Sequence, residues 1–300
     1  MEIRNLNRKD SDQLVKFINE TNGFTGTSKE ISLSLFDQWM DMPSVTPEQD
    51  YFVAYSDNKI VGALQMVRES IISRAVAIHT ISNSDLKKEI LDQMTNISTN
   101  YAQNHCLSVL HSQASSNDKV TKTHFINLGF DQVKTYLALQ WQGNPLAKLK
   151  LPDNYRIRSF ILDKDEEALT NLQNTAFKEH WGFCPNSVDE IRKRVQMERS
   201  DPEGIIFIEN ESSIAGYNWT LISENTKNKV GWISMTGIHP DFRRKKLGRA
   251  VVLAGMHSLV QRGANSIELE VDFQNTPAKE LYQSLGFRPV SSSYWYEKRL

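Results

Sequence analysis

The chain has 300 residues, long for one compact core and comfortable for two domains of about 150 residues each. Hydrophobic residues make up 39% and charged residues 24%, which suits an ordinary soluble globule, while a net charge of -1 excludes a globally basic nucleic-acid binder. The two cysteines, Cys106 and Cys184, are too few for a disulfide framework or a cysteine-based metal site, so a reducing compartment and no metal are expected.

In chain order, the first segment is EIRNLNRKD (Glu2–Asp10), which has none of the apolar character of a signal peptide. No stretch approaches about 18 consecutive apolar residues, so a cytoplasmic protein without a membrane partner is expected. The first half then reads as strand, one or two helices, three strands, helix, strand, helix, strand. Its segment KIVGALQ (Lys59–Gln65) returns as SIAGYNW (Ser213–Trp219) at a shift of 154 residues (216 − 62). HFINLGF (His124–Phe130) returns as LYQSLGF (Leu281–Phe287) at a shift of 157 (282 − 125), and Glu2–Asp10 resembles Arg156–Asp165 at a similar shift. Three matches in order and nearly in register point to a duplication. The boundary is expected in QGNPLAKLKLPDN (Gln142–Asn154), whose glycine and two prolines break regular structure, giving domains at 1–145 and 154–300.

The second half predicts a strand at Tyr155–Ser159 and amphipathic helices at Glu166–Phe177 and Ser187–Glu198. Antiparallel strands follow at Ile205–Glu209, Ser213–Ile222 and Lys229–Ile238. Then come a helix from Lys246 to Gln261 ending at Gly263, a strand at Ser266–Phe273, a helix at Pro277–Leu285 and a last strand at Ser293–Lys298.

The informative run is WISMTGIHPDFRRKKLGRAVVLAGMHSLV (Trp232–Val260). Pro240 closes the strand because it has no N–H for a continuing ladder. The turn carries Arg243, Arg244, Lys245 and Lys246, then Gly248 and Arg249, and opens an apolar helix. Unpaired N–H groups at a helix start, a glycine that lets an anion approach the backbone, and five basic side chains in seven residues make a seat for a diphosphate. The spacing is neither a Walker loop nor a Rossmann fingerprint. A second motif, DFQNTPAKELYQSLGF (Asp272–Phe287), contains Asn275, Ala278, Leu281, Tyr282, Gly286 and Phe287.

These residues resemble the GNAT family of acetyl-CoA-dependent N-acetyltransferases, and more narrowly its tandem, mycothiol synthase-like type. The family segment V-x-P-x-F/Y-R followed by Q/R-x-x-G-x-G/A is met by Ile238, Pro240, Phe242, Arg243 and Gly248. Lys246 stands where the family's first glycine is usual. The family pattern N-x-x-A-x-x-L-Y-x-x-x-G-F is met throughout Asn275–Phe287. The resemblance implies an α+β (mixed α/β) fold of two GNAT-like domains, each a mixed, mostly antiparallel sheet flanked by helices. It implies acetyl-CoA bound by Gly237, Ile238, Arg243, Arg244, Lys245, Lys246, Leu247, Gly248, Arg249 and Asn275, and an oxyanion donor at a strand bulge near Ile238. Tyr282 is implied as the acid for the leaving thiolate. The glutamate that mycothiol synthase-like proteins often carry on this strand is replaced by Trp232. Glu179, in FKEHWGF (Phe177–Phe183), is therefore the first candidate base, with Glu270 and His180 behind it.

At the 157-residue shift, Arg243–Arg249 corresponds to LKKEILD (Leu86–Asp92), which lacks glycine and carries acidic residues. Tyr282 corresponds to Phe125 and Asn275 to Asp118, so the first half is expected to be a degenerate domain. The expected activity is acetyl transfer to a small-molecule amine by the second half alone, in a monomer or homodimer. The competing expectation is a non-catalytic acyl-CoA or metabolite-binding protein. Nucleic-acid binding is disfavoured because the basic cluster is short and lacks interleaved aromatics.

Overall fold

The computed structural model describes residues 1–25, 30–82, 84–143, 145–223 and 229–300; Asn144, in the expected boundary segment, lies outside them. The chain forms two compact units, one of Met1–Tyr136 with Ser291–Leu300 and one of Leu137–Val290.

The first unit runs β1 (Glu2–Asn5), α1 (Ser11–Thr25), α2 (Leu33–Met40), α3 (Pro47–Asp50), β2 (Tyr51–Ser56), β3 (Lys59–Glu69), β4 (Arg74–Ile81), α4 (Lys87–Asn104), β5 (Val109–Ser115) and α5 (Lys119–Asn127). Strands β1 to β4 pair antiparallel in sequence order, and β4 pairs parallel with β5. The chain's last residues, Ser293–Arg299, add an antiparallel strand against β5. Leu64, Met66, Ala75 and Ala77 of the sheet, Ile90 and Met94 of α4, and Phe125 form the core.

β6 (Asp131–Gln142) crosses the unit boundary after Tyr136. The second unit continues with β7 (Arg156–Ser159), α6 (Glu166–Phe177), α7 (Val188–Val195), β8 (Ser200–Glu209), β9 (Ile214–Ile222), β10 (Val230–Ile238), α8 (Leu247–Gln261), β11 (Ser266–Asp272), α9 (Thr276–Ser284) and β12 (Arg288–Arg299), which leaves the unit after Val290. Strands β7 to β10 are antiparallel neighbours and β10 pairs parallel with β11, so each unit holds the mixed, mostly antiparallel sheet expected.

Residues on alternate sides of a strand face opposite layers. Ile205 and Phe207 of β8, with Tyr217 and Trp219 of β9, pack with Leu169 and Leu172 of α6 and Ile191 and Val195 of α7. Ile206 and Ile208 face the other way, onto Leu247, Ala250, Val251 and Ala254 of α8. Ile267, Leu269 and Val271 of β11 pack on that same side with Val252, Leu253 and Met256 of α8 and with Tyr282 and Leu285 of α9.

Local chemistry sets the helix starts. Ser187 and Glu190 form a reciprocal capping box at α7. Glu166 and Glu167 place acidic charge in the first turn of α6, against the positive end of the helix dipole. The expected helix at Glu166–Phe177 forms with those bounds. Two strands start earlier than expected: β8 at Ser200 rather than Ile205, and β12 at Arg288 rather than Ser293.

Candidate active site

The site of interest lies where β10 and β11 separate. The parallel pair is in register only at Val230↔Ser266, Gly231↔Ile267 and Trp232↔Glu268, yet β10 continues to Ile238 and β11 to Asp272. Beyond Trp232 the two strands diverge, leaving an opening between their C-terminal ends. On its other edge β10 stays paired with β9, with a register shift between Ile233 and Met235. This shift corrects the expectation of a bulge near Ile238, which is in register with Gly216 of β9. A bulge frees backbone groups and re-aims them, so the irregular N–H positions of β10 sit at Ile233–Met235.

The chain leaves β10 through a single 3-10 turn at Pro240–Phe242 and enters α8 at Leu247. Arg244 (φ 64°) and Lys246 (φ 62°) are in the left-handed region. Lys246 is the N-cap of α8 and makes no side-chain capping bond, so among the described residues the first-turn N–H groups lack a side-chain cap. Those groups and the helix dipole together attract an anion. A Cβ added to Gly248 would meet nothing closer than Leu281 Cδ2 at 3.8 Å and Ile238 Cγ1 at 3.9 Å. The protein's own packing therefore does not demand glycine here, and the spare room lies over the helix start. Those contacts also bring the end of β10, the first turn of α8 and α9 together.

The basic residues divide into separate tasks. Arg243 donates from Nη2 to the Ala176 carbonyl (2.9 Å) and from Nε to the Ile238 carbonyl (3.4 Å), tying the end of α6 to the end of β10. Arg249 donates to Ser284 Oγ at 2.6 Å, joining α8 to α9. Lys245 stands over the Phe242 ring at 4.9 Å. Arg244 and Lys246 are exposed, while Leu247 is buried beneath the loop. Gly237 has a packing reason of its own, because a Cβ there would stand 3.0 Å from both Ala176 Cβ and Phe177 Cε2.

Asn275 caps α9, its Oδ1 accepting from the Ala278 N–H at 3.2 Å. Tyr282 is 7% exposed and its ring meets Phe287 edge-on, 5.8 Å between centroids. Burial pushes its phenol up to about 12, so the hydroxyl keeps its proton at neutral pH.

The base candidates lie elsewhere. Glu179 is exposed, just past the end of α6. Its loop is held by Asn174, whose amide donates to the Asn186 carbonyl and accepts from the Asn186 N–H, both at 2.9 Å. The exposed His180 ring lies 4.7 Å from that of Phe177. Glu270 is exposed on β11, on the side opposite Leu269 and Val271 and hence opposite Tyr282. Trp232, where a glutamate was expected from the resemblance, donates from Nε1 to Glu268 at 3.1 Å. Sequence reasoning missed a cleft of about 500 Å³ beside α8, into which Lys148 and Lys150 contribute. The alternation Lys148-Leu149-Lys150 was its only signal. Among the described residues, no group of three or more His, Cys, Asp or Glu is placed to hold a metal, and no helix is long and apolar enough to cross a membrane.

Residues 166–287 match the acetyltransferase (GNAT) family, and the chain carries a domain of that family there. The divergent strands, the anion-ready helix start and Tyr282 all belong to that domain. Among relatives, the chain is similar to the mycothiol acetyltransferase of Thermobispora bispora, 35% identical over 157 residues, or 51% of this chain and 53% of that protein. The chain thus spans about half the length of the curated relatives it matches. Two solved structures share the fold over 99% of the chain. One is a GCN5-related N-acetyltransferase from Sphaerobacter thermophilus (TM-score 0.78, 16% identity, 95% of that chain), and the other a tandem GNAT protein from the clavulanic acid biosynthesis pathway (TM-score 0.77, 14% identity, 98% of that chain).

Proposed function

We propose that this protein transfers an acetyl group from acetyl-CoA to the amine of a small molecule by direct attack, with the second unit alone carrying the reaction. The observation that carries the reading is the uncapped N-terminus of α8, with open space over Gly248, beside the divergence of β10 and β11. First-turn N–H groups, Arg244 and Lys246 receive the diphosphate of the coenzyme, and the acylated arm passes between the strands toward Tyr282. The amine nitrogen bonds to the thioester carbonyl carbon and the carbon–sulfur bond breaks. Tyr282, kept protonated by burial, gives its proton to the departing sulfur. Freed backbone N–H groups of β10 stabilise the oxyanion. The amine's proton leaves on the opposite side of the sheet, to Glu179 or through water to Glu270. The name of the relatives supports an acceptor of low molecular weight. The first unit serves as support and does not catalyse.

A second reading, acyl-CoA binding without catalysis, draws on Lys246, whose side chain stands at a left-handed position that favours glycine. Thiol release from acetyl-CoA with a panel of amines separates the two. Tyr282→Phe should lower kcat by roughly 100-fold, the usual size of a lost general acid, and leave CoA affinity unchanged. The wild-type rate should rise with pH as the amine deprotonates. It should show no fall from tyrosine ionisation until about pH 11, because the ionisation sits near 12. A wild-type protein that CoA stabilises against heat, yet that releases no thiol with any amine, would leave the binding reading standing.

A further inference from the structure

We propose that the segment joining the two sequence halves is part of the coenzyme site, and that Lys148 and Lys150 hold the 3′-phosphate of CoA. The proposal rests on acetyl-CoA being the acyl donor. Leu149 packs against the residues of α8, and the Ala147 carbonyl is 3.0 Å from His257 Nε2 near the other end of that helix. The segment is therefore fixed along α8. Lys148 and Lys150 flank the anchored Leu149 and are exposed.

Between this segment and the helix lies the cleft of about 500 Å³, within the range of small-molecule sites. Lys148 and Lys150 form one wall, and Lys245, Lys246 and Arg249 the other, over Ala250 and Leu253. Among the described residues, no acidic residue lines it. Lys148, Lys150 and Lys246 form no ion pair among the described residues.

Five cations around one cleft repel one another unless a polyanion enters. The cleft adjoins the anion-ready end of α8, since Lys246 belongs to both. A ligand whose diphosphate sits at that helix end would place a further phosphate among the lysines and an adenine over the apolar floor. CoA has this layout, with the 3′-phosphate as the extra charge. The five cations match its roughly four negative charges, two on the diphosphate and about two on the monoester.

The test uses the full chain, with CoA and 3′-dephospho-CoA as probes in calorimetric titrations at low salt. The wild type should bind CoA roughly 10-fold tighter than dephospho-CoA, the size of a charged phosphate contact or two. In the double variant Lys148→Gln/Lys150→Gln, CoA should weaken to the level of dephospho-CoA. Dephospho-CoA affinity and melting temperature should not change. Equal wild-type affinity for the two probes, or a double variant that keeps the preference, would overturn the assignment while leaving CoA as donor. Binding of neither probe by the wild type would overturn the donor reading and this proposal together.

Discussion

In the second unit α8 starts at Leu247; in the first, the matching helix α4 starts at Lys87, although the residue corresponding to Leu247 is Ile90 (247 − 157). The first helix thus runs about a turn further at its N-terminus. From that extra turn Lys87 reaches Asp118 at 2.7 Å, and Asp118, the counterpart of Asn275, caps α5. Past the last β4–β5 pair, Ala77↔Ser112, His79 Nδ1 lies 3.1 Å from Ser112 Oγ. Its ring is 5.9 Å from Phe125, which stands where Tyr282 does. Burial, with His124 nearby, lowers His79 to about 4 and keeps the ring neutral. The first unit fills from within the space that the second leaves open.

The frame beneath these differences is the same. Asn19 clasps the backbone of Ile31 through two bonds of 2.8 Å, as Asn174 clasps Asn186. The Arg4–Asp10 pair at 2.8 Å repeats as Arg158–Asp165 at 2.5 Å. The Phe130 N–H to the Phe125 carbonyl repeats as Phe287 to Tyr282, at 3.0 and 3.1 Å. Clasps that hold the fold survive in both copies, whereas the room over the start of α8 at Gly248 is taken in α4 by the buried Leu91.

The sharpest way to break this contrast is to close the second unit's opening. Gly248→Ala places a methyl over the helix start, where the first unit already has Leu91 (248 − 157), which is buried. CoA affinity should fall by roughly 100-fold, equivalent to losing one or two hydrogen bonds to a charged group. The melting temperature should barely move, because the nearest protein atoms leave room for a Cβ. Titration with CoA and a thermal melt check both halves.

A smaller effect separates the two arginines of the loop. Arg243→Ala removes the tie to the Ala176 carbonyl and should cost about 1–2 kcal/mol of stability in chemical denaturation. Arg244→Ala should leave stability alone and weaken CoA by about fivefold at low salt, fading as salt screens the charge. Replacing Lys87 and Lys88 of the first unit should leave CoA binding unchanged, and a loss there would break the contrast.

The sequence made much of this legible because helix and motif signals are local. The bounds of α6 and the motif from Asn275 to Phe287 follow from side-chain type and spacing. β8 hid its start because Pro202 and Gly204 interrupt the strand pattern, and β12 opens with Arg288-Pro289. That residues 291–300 close the first unit and 137–142 belong to the second is a matter of long-range pairing, which no local pattern encodes. The Asn19 and Asn174 clasps use one side chain and a partner's backbone, so the partner's identity leaves no mark. The bond Arg243 makes to the Ala176 carbonyl leaves no mark in its charge, because that partner is 67 residues away. Lys148 and Lys150 read as part of the domain boundary because the helix they border is a hundred residues further on.

The smallest expected effect lies at Lys246, whose counterpart in the first unit, Glu89, sits within helix α4. A left-handed conformation costs a residue with a Cβ about 1 kcal/mol, and glycine relieves it. Glycine also gives the unfolded chain more freedom, which offsets about 0.4–1 kcal/mol of that gain. Lys246→Gly should therefore change stability by less than about 0.5 kcal/mol. For the coenzyme two terms oppose each other: an ammonium is lost, and a diphosphate comes closer to backbone N–H groups. Salt screens the first far more than the second. CoA should bind this variant somewhat more weakly than wild type at low salt and more tightly at high salt. Titrations at two ionic strengths would show the crossing. Uniform weakening at both would make the Lys246 ammonium a direct ligand, and the second unit's seat would then depend on a side chain where a glycine-based seat depends on backbone.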